Sequence, residues 1–514
     1  MKKIRFILIL ISFVFQVAAQ SNLKNTDILE IEINPEITHQ TIRNFGASDA
    51  WSTQFVGKYW PEDAKQAIAK LLFSKAIKSD GSPEGIGLSA WRFNIGAGSA
   101  EQGSESEILD EWRRSECFLN QDGTYNWDKQ QGQLWFIKAA KQYGVETFIG
   151  FVNSPPVFYT KNGKAWSSDG SRANLKQEYY KNYANFLSEV LKGVKQKTGI
   201  TFDYVSPFNE PQWAWECCKQ EGSPWTNEEL FLVTHEIHKS FIKNKISSKI
   251  EITEAAKIDY LYTAADKPNR GNQIDYFFNK KSEGYLGYLP SVAKKVAGHS
   301  YFTTWNNNTL INTRNALNQK RQEIDPDLEY WMTEYCVLED NKEIRGAGRD
   351  LGIDAALYVA KVIHADLVYS NASAWHWWLA ISPYNYKDGL IYIDKNKEGG
   401  QFSDSKMLWV LGHYSRFIKP RMRRIDVNKK VETNVLVSAY ASKDEIVLVM
   451  VNIDETDKKI MVSGVPKSYK LEACYETTGE AFVNLKKRFQ TCKEANVLLP
   501  KRSLLTCVFE NQVD

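Results

Sequence analysis

Two glutamates stand in sequence where paired acid–base and nucleophilic chemistry is feasible. Glu210 lies in Tyr204-Val205-Ser206-Pro207-Phe208-Asn209-Glu210-Pro211, and Glu334 in Tyr330-Trp331-Met332-Thr333-Glu334-Tyr335. Each follows or ends a short β-rich run. Two carboxyls held roughly 5 to 5.5 Å apart can cleave a glycosidic bond by double displacement, one attacking the anomeric carbon and the other protonating the leaving oxygen. Here Glu334 is the nucleophile and Glu210 the acid/base. Asn209 can donate to the sugar hydroxyl next to the anomeric carbon. Other chemistries find less support. Gly85-Ile86-Gly87-Leu88-Ser89-Ala90 precedes a strand where a dinucleotide loop would follow one. His235 and His238 lack a third ligand, so neither metal nor cofactor is expected. No Gly-x-Ser-x-Gly elbow is present.

Positioning those carboxylates requires elements that bring distant segments together. Eight strand candidates run in order: 42–46, 87–93, 146–152, 202–207, 249–254, 296–302, 329–334 and 372–378. Helix-period stretches separate them, at 63–77, 130–143, 175–197, 227–244, 309–323 and 351–369. Strand-then-helix repeated eight times predicts a (β/α)8 TIM barrel, whose active site lies at the C-terminal strand ends. Strands four and seven face each other across the barrel mouth, so Glu210 and Glu334 can converge. After Lys419-Pro420 the texture changes to alternating strands at 434–441, 445–453, 459–465, 471–476 and 497–510. Residues 28–37 alternate too. A β-sandwich side domain built from both chain ends is therefore expected: residues 20–38 and 420–514, with the catalytic barrel over 39–419.

Residues 1–19 carry Lys2, Lys3 and Arg5, an apolar run from Phe6 to Val17 and small residues at Ala18 and Ala19, the build of a signal peptide. The run is too short for a spanning helix of roughly 20 residues, so a secreted or periplasmic protein is expected, with no membrane insertion. Removing that segment takes three basic and no acidic side chains, leaving 62 of the 65 Lys plus Arg against 62 Asp plus Glu. This balance argues against a nucleic-acid partner and suits a neutral one, a polysaccharide or oligosaccharide. A monomer is expected. Aromatics form 13% of the chain, with 16 Trp, several beside turn residues where rings can stack on sugar faces. Of seven cysteines, Cys117 can pair with Cys217 or Cys218, and Cys474 with Cys492; the odd count leaves a thiol over.

Asn209-Glu210-Pro211 on strand four and Glu334 on strand seven resemble glycoside hydrolase clan A, and family 30 within it. Phe45-Gly46-Ala47-Ser48, Trp91-Arg92-Phe93-Asn94-Ile95-Gly96, Asn153-Ser154-Pro155-Pro156 and Leu411-Gly412-His413-Tyr414 support that resemblance. It implies that Arg92 and Tyr301 hold and orient the nucleophile, that Asn153 contacts substrate, and that Trp377 forms an aromatic floor beneath the sugar, with Trp375 and Trp378 as competitors. The run Ser206 to Trp215, with Gln220-Glu221-Gly222, is similar to the endo-β-1,6-galactanase branch. So is Phe45-Gly46-Ala47-Ser48-Asp49-Ala50-Trp51, apart from Asp49 at a position where a small residue is usual. The implied substrate is β-1,6-linked galactan of arabinogalactan side chains, gripped by Asp49, Trp51 and Trp213. Xylan, β-1,6-glucan or a β-glucoside such as glucosylceramide are the alternatives within the family, and a non-catalytic sugar-binding barrel is the alternative outside it.

Overall fold

The computed structural model describes residues 28–429, 434–488 and 496–512. Residues 1–19, read above as a signal peptide, and Cys492 lie outside the described residues. Strand β1 (Leu29–Thr41) precedes eight parallel strands: β2 (Asn44–Ser48), β3 (Ala90–Asn94), β4 (Thr147–Phe151), β5 (Tyr204–Ser206), β6 (Lys249–Ile250), β7 (Lys295–His299), β8 (Glu329–Tyr335) and β9 (Ala372–Ser382). β2 pairs with β3 on one side and β9 on the other. β6 and β7 are joined only by isolated bridges, Ile250 with Val292 and Ala255 with Gly298. The ring so closed is the expected barrel, with helices outside it at Glu62–Phe73, Gln131–Gln142, Tyr180–Thr198, Asn227–Asn244, Asn307–Ile324 and Ile353–Val368.

Local chemistry explains several boundaries. Asn227–Asn244 begins where sequence reading puts it because Thr226 and Glu229 form a reciprocal capping box. The fifth strand ends early, at Ile250, because Thr253 and Glu254 take positive φ. The Thr253 hydroxyl, accepting from the Ala297 amide at 2.8 Å, then stands in for a ladder bond. That bend tucks Glu254 under the barrel mouth. The helix Thr53–Tyr59 crosses Gln131–Gln142 so closely that a Cβ on Gly132 would lie 2.0 Å from the Gln54 carbonyl, which fixes the segment carrying Trp51. After β9, β10 (Gly389–Ile393) and β11 (Phe402–Asp404) extend the sheet beyond the ring, and the helix Lys406–Ser415 follows. The sequence reading did not anticipate these two strands.

The side domain is one nine-stranded sheet folded over its own core. It contains β1 with β12 (Arg423–Lys429), β13 (Val435–Ala441), β14 (Glu445–Asn452), β15 (Lys458–Ser463), β16 (Tyr469–Thr477), β17 (Lys486–Lys487), β18 (Asn496–Leu499) and β19 (Ser503–Asn511). β1 lies between β12 and β15, so both chain ends build it. The expected single strand over 497–510 is two, because Pro500 offers no N–H and Arg502 takes positive φ. Alternation along β14 divides its side chains: Ile446, Leu448 and Met450 enter the side-domain core, while Val447, Val449 and Val451 pack against the barrel. Across that junction buried His413 faces the hydroxyls of Thr506 at 2.8 Å and Thr477 at 2.9 Å. Among the described residues no helix is long and apolar enough to cross a membrane. Cys217 is bonded to Cys218 and Cys117 is separately buried, so the expected Cys117 pairing does not form; Cys474 opposes Cys507 across β16 and β19, and its expected pairing with Cys492 lies outside the described residues.

Candidate active site

Glu210 follows β5 in a turn with φ 45°, its amide bonded to the Glu254 carbonyl at 2.9 Å. Its own carbonyl accepts from the Trp213 amide and the Trp215 indole, each at 3.1 Å. Glu334 lies on β8. Both carboxyls are nearly buried, and an oxygen of one lies within 4.8 Å of an oxygen of the other. That is double-displacement spacing, short of the roughly 6.5 to 9.5 Å at which a water fits between the carboxyls. Tyr301 donates to Glu334 Oε1 at 3.1 Å and Arg92 Nη1 to Oε2 at 3.3 Å, so two donors stabilise the ionised nucleophile position.

Between the carboxylates sits His299, which sequence reading missed. Its Nδ1 is 2.9 Å from Glu210 and 3.7 Å from Glu334, and its Nε2 is 2.7 Å from Glu254. Glu254, also missed, receives Arg92 Nη2 at 3.2 Å and the Thr333 hydroxyl at 2.8 Å. Both residues fall at or near the ends of strands five and six, so the strand-end rule that found Glu210 and Glu334 would have found them. Although Glu210, His299 and Glu334 lie close enough to surround a metal ion, both imidazole nitrogens are committed to carboxylates.

Charge balance follows from burial. Desolvation opposes a charged His299, but Glu334, Glu210 and Glu254 outweigh it and raise it to about 10. Burial likewise pushes Glu254 up, yet Arg92 and His299 hold it well below the ordinary range. Glu334 is pushed up to about 7 by burial and by the charge of Glu210, against the pull of His299 and Arg92. Arg92 and protonated His299 supply two positive charges, and Glu254 one negative. The cluster is neutral when Glu210 and Glu334 carry one proton between them. One acid and one base is the state that double displacement starts from.

The remaining predicted residues divide. Asn153 and Asn209 are buried near strand ends, and both side-chain atoms of Asn153 and Oδ1 of Asn209 have no protein partner. Trp51 meets Trp378 edge-on, ring centroids 5.4 Å apart, and Trp378 meets Phe151, over which Arg92 lies. Trp213 is half-buried and stands perpendicular to Phe302 at 5.9 Å. Two expectations are corrected. Trp377 is fully buried, with its indole bonded to the Asp388 carbonyl at 2.7 Å and its ring beside Trp375, which bonds Asp366 on the outer helix; strand alternation leaves His376 and Trp378 on the other face, Trp378 against Phe151 and Trp51. Asp49 is fully buried behind the site, where it accepts from the Asn94 amide at 2.7 Å and Gln133 at 3.1 Å, and burial pushes it up to about 8. It supports the strand-one turn. Buried Glu221 ties the strand-four loop to the amides of Ala97 and Ser99 after strand two, shaping the rim.

The family described as O-glycosyl hydrolase family 30 matches residues 28–392. A glucuronoxylanase of Bacillus subtilis is 24% identical over 340 residues; the match spans 64% of this chain and 65%, just under two thirds, of that relative. A conserved exported protein from Bacteroides fragilis has a similar crystal structure, with TM-score 0.88 and 32% identity, over 94% of this chain and all of that one. The catalytic domain of a GH30 xylanase from Talaromyces cellulolyticus shares the fold at TM-score 0.68 and 22% identity, over 94% of this chain and all of that one.

Proposed function

Because the chain belongs to O-glycosyl hydrolase family 30, we propose that it is a secreted, retaining glycoside hydrolase that cleaves β-1,6-linked galactan. The observation carrying the catalytic part is the Glu210–Glu334 approach within 4.8 Å, with Tyr301 and Arg92 both on Glu334. Glu334 attacks the anomeric carbon while Glu210 gives its proton to the departing glycosidic oxygen. The resulting glycosyl ester on Glu334 is then opened by water, whose proton returns to Glu210. Tyr301 and Arg92 position the attacking oxygens, and His299 holds the acid in place. Trp378 and Trp51 make the aromatic wall of the cleaved sugar's subsite, and Asn209 and Asn153 offer unspent amides to its hydroxyls.

The galactan assignment rests on the strand-four loop from Ser206 to Trp215 and on Trp51. A specific observation favours a second reading, a β-xylan with acidic substituents. The Arg113 guanidinium lies over Trp51 at 5.7 Å and Tyr384 at 4.8 Å, and no ion-pair partner is seen for it among the described residues. The B. subtilis relative is a glucuronoxylanase. A panel of de-arabinosylated arabinogalactan, glucuronoxylan and β-1,6-glucan, with products sized, separates these. Galactose oligomers from the first alone support the galactan reading, and products confined to glucuronoxylan replace it. Glu334→Gln should lower turnover on the best substrate at least roughly a thousandfold. A variant as active as wild type would remove Glu334 as the nucleophile, and wild type inert on the whole panel would favour a non-catalytic sugar-binding role.

A further inference from the structure

Phe302 directly follows Tyr301, the residue that holds the nucleophile. Its backbone has φ 58°, a conformation that a bulky side chain adopts only at a cost, and the residue is 52% exposed. A ring so exposed recovers little by burial, and its ring neighbours are few: Trp213, perpendicular at 5.9 Å, and Tyr301 at 6.3 Å. The protein therefore carries a strained aromatic whose own packing does not offset the strain. Trp305, three residues further on, is also exposed.

The position of this corner relative to the acid gives it a use. Trp213 is bonded through its amide to the Glu210 carbonyl, so its ring is placed by the residue that protonates the leaving oxygen. The sugar departing with that oxygen leaves on the Glu210 side. The opposite wall, Trp51 and Trp378, reaches Phe151 beneath Arg92, on the side of the sugar that becomes attached to Glu334. Two rings at right angles offer one flat face to the apolar C–H surface of a sugar and one edge to its rim. We infer that Phe302 and Trp213 form the binding site for the leaving-group sugar, so that the substrate chain continues on both sides of the cleaved bond and the protein cuts inside chains. This deepens the proposed glycosidase function and rests on it, whichever β-glycan is bound.

The test compares each polysaccharide of the panel with its matching glycosyl fluoride: galactan with β-galactosyl fluoride, xylan with β-xylosyl fluoride, β-1,6-glucan with β-glucosyl fluoride. A fluoride has no leaving-group sugar. On the pair that wild type hydrolyses, Phe302→Ala should lower the ratio of kcat/KM for polymer to kcat/KM for fluoride roughly tenfold, equivalent to about 1.4 kcal/mol. Phe302→Trp, which keeps a flat ring, should hold the ratio within about twofold of wild type, and the first wild-type products should be oligomers. Because the ratio is internal to each variant, a partly unfolded preparation does not mimic the effect. An unchanged ratio in Phe302→Ala, or release of single sugars alone by wild type, overturns the inference while leaving the glycosidase intact. Wild-type protein inert on all three pairs overturns both.

Discussion

His299→Gln removes one positive charge from the centre of the site while keeping an amide donor in its place. Nδ1 lies 3.7 Å from Glu334 and closer still to Glu210. At an effective dielectric of about 20, a unit charge at that distance is worth about 4.5 kcal/mol, or roughly 3 pKa units. The cluster is fully enclosed, so salt screens little of this. The sign is fixed by what the cation does. It favours ionised carboxyls, so its loss makes the pair hold protons to higher pH. On the acid limb of kcat/KM the nucleophile is lost when both carboxyls are protonated; on the alkaline limb the acid is lost when both are ionised. Both limbs therefore move alkaline, by at least about one unit once side chains relax. Activity that the variant loses on the acid limb should recover on raising the pH. Profiles of wild type and variant on the best polysaccharide, followed by reducing-end release, read this directly. Limbs that stay in place, or that move toward acid, would refute the account of His299 as a protonated bridge.

Two further outcomes follow from placement. Trp378→Ala should reduce kcat/KM on polysaccharide by roughly tenfold or more with a small change in melting temperature, whereas Trp377→Ala should cost about 3 to 5 kcal/mol of stability, since Trp377 fills buried space away from the mouth; denaturant titration and kinetics on both variants check the contrast. His413 is buried neutral, and desolvation alone lowers it to about 3 from 6.5. The unfolded chain takes up that proton first, so the contribution is complete above about pH 6.5 and shrinks as pH falls toward 3, by about 1.4 kcal/mol per unit. In urea titrations from pH 6.5 to 4.5, His413→Gln should show a slope shallower by that amount, and an identical slope would remove His413 from the acid sensitivity.

Much of the architecture is legible in the sequence because it depends on short-range pattern. Thr226 and Glu229 write the start of their helix, apolar runs bounded by polar residues mark β13 and β14, and alternation marks β16. The weakly patterned β12, with only Ile425 and Val427 apolar, left no such mark and formed because β1 and β13 offered edges on both sides. Glu210 and Glu334 were legible for a related reason: a polar residue ending a barrel strand faces the mouth. Which strand-eight tryptophan faces it was not. Alternation sends Trp375 and Trp377 to one face of β9 and His376 and Trp378 to the other, and which face is the inner one is set by the register against neighbouring strands. Asp49 misled in the same way, because local sequence places it at a strand end but not behind the Asn94 backbone that claims its carboxylate. Sequence alone determined the element order and the kinds of groups at the mouth. Only the tertiary structure decided their ionisation, since the charge on His299, Glu254 and the Glu210–Glu334 pair depends on segments far apart in the chain being brought within a few ångströms of one another and shut away from water.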